Sequence, residues 1–184
     1  MYGMVNDAVR GLVTSAFGED TWTEIHTKAG ASSSFVALES YDDAVTYNLV
    51  GAAVEVLGLS AEDILKTFGV YWVEHVATVH YGDLMEQTGV GFTEFIKNLD
   101  SMHQRMQSIF PEYQPPSFRV IDTENPGVYQ VDYYSKREGL LPFVEGLFNG
   151  LSQHFGEPIK IEHIPDDAHP MPCQRMLLTV GSAE

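Results

Sequence analysis

Cysteine is almost missing from this chain: Cys173 is the one cysteine in 184 residues. An internal disulfide is therefore excluded, which fits a reducing compartment. A zinc site built on two or more cysteines of the chain is excluded with it. Positive charge is scarce as well. Ten Lys and Arg stand against twenty-six Asp and Glu, for a formal net charge of −16. Such a surface repels phosphate backbones and anionic lipid heads, so neither nucleic acid nor a membrane is expected as a partner. No apolar run approaches the roughly 20 residues that a membrane-spanning helix needs. The opening Met1-Tyr2-Gly3-Met4-Val5-Asn6-Asp7 lacks a basic segment followed by an apolar one. No secretory signal is expected from it, and a cytoplasmic location is.

What the chain does have is an ordinary globular composition, 44% hydrophobic and 20% charged. Its length suits one domain over 1–184, without internal repeat or low-complexity linker. The first two thirds read as helices. Val5, Ala8, Val9, Leu12, Val13 and Ala16 form a stripe at helical spacing that ends near Gly18. A short helix is expected over 21–28 and another over 44–57, stopped by Gly58. Ser60-Ala61-Glu62-Asp63 supplies a hydroxyl cap and first-turn acids for a helix running toward His80. The clearest helix spans 91–110, where Phe92, Ile96, Leu99, His103, Met106 and Phe110 share one face and Pro111 follows as a stop. The pattern then changes. Segments 117–122 and 128–135 read as strands around the turn Asn125-Pro126-Gly127. A helix over 140–155 and strands over 159–164 and 175–180 complete an α+β fold, a helical part packed with a C-terminal antiparallel sheet.

Common catalytic patterns are missing. Gly89-Val90-Gly91-Phe92-Thr93-Glu94 lacks the third glycine of a dinucleotide loop, and no nucleophile elbow or phosphate loop occurs. His75 and His80 are five apart and do not share a helix face as a zinc protease pair must. No positioned acid–base pair or nucleophile argues for an enzyme.

His103 lies mid-stripe on its apolar face. The plain reading of such a residue is a satisfied core histidine. The setting also suits a haem ligand: one imidazole nitrogen binds iron while Leu99, Met102 and Met106 pack the porphyrin. The other nitrogen then needs a hydrogen-bond partner, which the sequence does not identify. Tyr133-Tyr134-Ser135-Lys136-Arg137 is the second feature. Along an extended strand Tyr133, Ser135 and Arg137 point one way, spaced about 7 Å apart. Two hydroxyls and a guanidinium fork suit two neighbouring carboxylates, such as haem propionates; an ordinary amphipathic strand end is the plainer alternative. Pro115-Pro116 between these features reads as a rigid extended connector.

In combination, His103, Pro116 and Tyr133-x-Ser135-x-Arg137 resemble the H-NOX family, the haem nitric oxide/oxygen-binding domains found alone in bacteria and in soluble guanylate cyclase. Met1-Tyr2-Gly3 through Asn6, Asp20-x-Trp22, Tyr41-Asp42-Asp43 and Asn98-Leu99-Asp100 extend the likeness nearly end to end. The resemblance implies haem b buried between helices and sheet, with His103 as the proximal iron ligand. Tyr133, Ser135 and Arg137 would hold the propionates, and Pro116 would press on the porphyrin. The distal wall would come from Val5, Val9, Trp72, Val76, Phe143 and Leu147. Oxygen-binding members carry a tyrosine where this chain has Phe143, so NO is the expected ligand, with CO weaker and oxygen poor. Trp72 is then the one evident distal donor.

The resemblance further implies signalling by breakage of the iron–His103 bond to a separate effector, a histidine kinase or a cyclic-di-GMP enzyme. A haem-binding or redox-state sensor without a gas-signalling role is the alternative. Some relatives bind zinc through C-terminal cysteines; here only His163, His169 and Cys173 could do so, and a loop with incidental histidines is the plainer reading.

Overall fold

Short polar caps, Asp42 and Ser60, start two of the helices. The computed structural model describes residues 1–110, 112–165 and 173–181. Helix α1 (Gly3–Phe17) carries the first stripe, and α2 (Glu19–Lys28) follows directly. Asp42 caps α3 (Asp43–Leu57) by accepting the Ala44 N–H at 2.8 Å, and Gly58 ends it at φ 66°, a left-handed conformation that costs glycine little. Ser60 caps α4 (Ala61–Tyr71) through the Asp63 N–H at 3.1 Å, as its position predicts.

The helix then runs beyond His80, but not as one α-helix. Trp72–Ala77 is a π-helical turn, and α5 (Thr78–Thr88) is broken at Tyr81, where φ is −132° and ψ 25°. Such wide turns concentrate at functional sites. Helix α6 (Phe92–Ile109) buries Phe92, Phe95, Ile96 and Leu99. Pro111, the expected stop, lies outside the described residues.

Strands β1 (Ser117–Asp122) and β2 (Val128–Tyr134), helix α7 (Leu141–Phe155), and strands β3 (Ile159–Ile164) and β4 (Cys173–Val180) follow. The sheet is antiparallel in the order β1-β2-β4-β3. The fold is α+β as its patterning requires. Strand β2 ends one residue before the expected Ser135, and Ser135 and Arg137 occupy the turn beyond it.

Helix α7 joins the two layers. It meets α4 across a seam of glycines: a Cβ on Gly146 would collide with the Lys66 carbonyl, and one on Gly69 would lie 2.5 Å from the Leu147 nitrogen. Two apolar clusters result. One gathers α1, α2, α3 and Phe68; the other gathers α6, α7 and the inner sheet face. Among the described residues no single helix is long and apolar enough to cross a membrane.

Candidate functional site

Between the two clusters lies a cavity of about 310 Å³, lined by His103 and by Tyr133, Ser135 and Arg137. Its α6 wall consists of Phe95, Leu99, Met102, His103 and Met106, with Phe110 just past the helix end; Leu99, His103, Met106 and Phe110 belong to the expected stripe. The His103 ring packs 5.9 Å from Phe118 and edge-on to Tyr113 at 6.1 Å. Its Nδ1 is shielded from solvent and has no hydrogen-bond partner among the described residues. Burial holds the imidazole pKa below its ordinary value, with the Pro116 backbone and the Asp100 charge acting in the opposite direction. At neutral pH the ring is therefore in the form that offers a lone pair.

Phe118 connects His103 to the carboxylate clamp. Its ring lies 5.2 Å from that of Tyr133, its register partner across β1 and β2. Its N–H donates to Asp100 Oδ1 at 3.1 Å, which ties β1 to α6. Burial raises the Tyr133 pKa, partly offset by the Ser135 hydroxyl and the Arg137 charge. The Ser135 hydroxyl also accepts the Arg137 N–H at 3.0 Å. The Arg137 side chain donates from Nε and Nη2 to Asp43 at 2.7 and 3.2 Å, and from Nη1 to the Gln114 carbonyl at 2.7 Å. Asp43 also accepts from the Met1 ammonium at 2.7 Å. Three of the five guanidinium N–H groups are thus engaged, and two remain for a further anion.

Of the expected cavity residues, Val5, Trp72, Leu99, Met102, Pro116, Phe143 and Leu147 line it, and Val9 and Val76 do not. Val9 lies one turn too far along α1 and packs in the helical cluster. Val76 is displaced by the π-helical turn, whose i to i+5 closure puts Ala77 beside Trp72 and Val73 on the cavity wall. Phe143 stacks on Phe68 at 5.0 Å. No described residue accepts the Trp72 indole N–H. Nor is Trp72 the one donor away from the clamp: Tyr81 and Tyr113 also line the cavity. The Tyr81 hydroxyl donates to Met4 Sδ at 3.4 Å, and burial pushes the Tyr113 hydroxyl up to about 12. Neither tyrosine carried a sequence signal, because each reaches the cavity from a helix break or a loop.

The three-ligand zinc site does not form among the described residues, which hold no cluster of three metal-binding side chains. His163 Nε2 instead pairs with Glu145 Oε1 at 2.8 Å, and His169 lies outside the described residues.

The residues present fit a haem. They offer a buried neutral imidazole on the cavity wall, apolar walls, and a guanidinium with two free donors beside two hydroxyls. The comparisons agree. The family model described as Haem-NO-binding matches residues 2–163. The chain belongs to this family of haem-binding, gas-sensing H-NOX domains. Soluble guanylate cyclase gcy-37 of Caenorhabditis elegans is 30% identical over 151 residues, 80% of this chain and 21% of the cyclase. Soluble guanylate cyclase gcy-31 of the same organism is 23% identical over 179 residues, 97% of this chain and 25% of the cyclase. The chain thus spans about a quarter of the length of these relatives or less. In fold it is similar to an H-NOX protein from S. oneidensis in the Fe(II)NO state, with TM-score 0.87, 22% identity, and coverage of 99% of this chain and 100% of that one. Against the Fe(II) unliganded H-NOX protein from K. algicida the TM-score is 0.83 at 18% identity, covering 100% and 98%.

Proposed function

We propose that residues 1–184 form one haem b domain that senses diatomic gas, selects NO, and passes the signal to a separate protein. The carrying observation is the convergence, on one apolar cavity, of the buried His103 ring and the Tyr133, Ser135 and Arg137 donors. Bound haem supplies a ferrous iron that takes up the gas and two propionates that need donors. His103 would hold the metal through its neutral ring. Tyr133, Ser135 and Arg137 would hold the carboxylates, and Pro116 would press on the macrocycle. Val5, Trp72, Phe143 and Leu147 would enclose the gas and exclude water. NO needs little hydrogen-bonding help and oxygen needs much, so Phe143 favours NO, with CO weaker and oxygen poor.

Release of His103 is the proposed signal. It frees α6, which the Asp100–Phe118 bond couples to the sheet, and so biases a two-state element. A cytoplasmic histidine kinase or cyclic-di-GMP enzyme would read the shift; this step rests on the family likeness. Haem titration of the purified chain tests the reading. Wild type should take up one haem, and His103→Ala should lose the axial bond, seen as a shifted Soret band and weaker binding. A wild type that takes up no haem would contradict the reading.

A further inference from the structure

The Arg137 fork is held from a distant part of the chain, the start of α3. Asp43, the first residue of α3, accepts both Nε–H and Nη2–H across 94 residues. One turn further along α3, the Tyr47 hydroxyl donates to the Glu138 carbonyl at 2.9 Å. Both contacts land on the turn after β2. Helix α3 packs in the helical cluster through Leu49 and Ala52, whereas Tyr133 belongs to the sheet cluster. The Asp43–Arg137 pair therefore bridges the two packed bodies at the cavity wall. The Asp43 side chain is 38% exposed and that of Arg137 22%, so screening limits the Coulomb energy and geometry matters more.

We propose that Asp43 is a positioning residue of the carboxylate clamp. It fixes the plane of the Arg137 guanidinium before a ligand arrives, so that the two remaining N–H groups are aimed at a carboxylate in advance. A planar fork loses little entropy per bond when it is held in this way. Asp43 also offsets the Arg137 charge, so the clamp offers directed donors with less net attraction. The proposal rests on the reading of Tyr133, Ser135 and Arg137 as the propionate clamp.

The test uses the haem-loaded full chain and measures haem transfer to excess apomyoglobin, together with the haem reduction potential. Arg137→Ala should release haem about tenfold faster, the loss of one charge-assisted bond. Asp43→Ala should release it about threefold faster, since the fork remains but loses its aim. The double variant should be no faster than Arg137→Ala alone, because Asp43 acts through Arg137. Asp43→Asn and Asp43→Ala should both raise the potential by removing a negative charge near the haem, and Asp43→Glu should restore it. If Asp43→Ala fails to fold by circular dichroism, Asp43→Asn and Asp43→Glu decide through the potential and the release rate. Wild-type release and potential in the Asp43 variants, or single effects that multiply in the double variant, would overturn the proposal. A wild type that loads no haem would instead remove the functional reading, and this inference with it.

Discussion

Phe143 has no hydrogen-bond donor and lies nearly parallel to Phe68, their planes 26° apart. A hydroxyl placed on that ring would project from a cavity wall that is apolar at this point. Phe143→Tyr is therefore expected to slow oxygen dissociation from the ferrous haem protein about tenfold, the worth of one hydrogen bond to a polar ligand. Stopped-flow displacement of oxygen by CO measures it; an unchanged rate would show that this position does not face the gas. His103 was legible because its neighbours repeat at helical spacing and the clamp motif is local. Tyr81, Phe118 and Asp43 were not, because their roles arise from contacts between distant segments. Val9 and Val76, which the resemblance puts on the distal wall, do not line the cavity, because Val9 packs in the helical cluster and a π-helical turn shifts Val76.

At the scale of elements, two joints hold the site in shape. The first is the α4–α7 seam. Gly146→Ala would drive a methyl group into the Lys66 carbonyl, where backbone and not a flexible tip must yield. A loss of about 1–3 kcal/mol is expected in urea unfolding. Wild-type stability would mean that the seam can relax.

The second joint pairs β2 with β4. Asp132 is 2% exposed and accepts Arg175 Nε–H at 2.7 Å and Gln130 Nε2–H at 2.9 Å. Burial acts to raise the Asp132 pKa, but the bonds from Arg175 and Gln130 and the Arg175 and Arg119 charges outweigh it, and the folded value is lowered. A lowered folded pKa gives stability that is present above the unfolded carboxylate value of about 4 and is lost as pH falls through the folded one. Asp132→Asn should cost about 2 kcal/mol at pH 7, with a deficit that shrinks at about pH 3. An equal deficit at both pH values would assign the loss to packing. The strand segments followed from alternation and turn residues, whereas the order of the strands in the sheet and the helix break at Tyr81 left no such trace.

For the whole molecule, two apolar clusters flank the cavity and are joined at the α4–α7 seam. The chain's formal net charge of −16 sets it against phosphate-rich partners. The central claim is that His103 holds iron and is released when NO binds. The absorption spectrum of the ferrous protein before and after addition of NO tests it most directly. A five-coordinate haem that remains five-coordinate with NO bound, the His103 bond having been exchanged for the gas, is the predicted result. A six-coordinate NO spectrum, with His103 still attached, would contradict it.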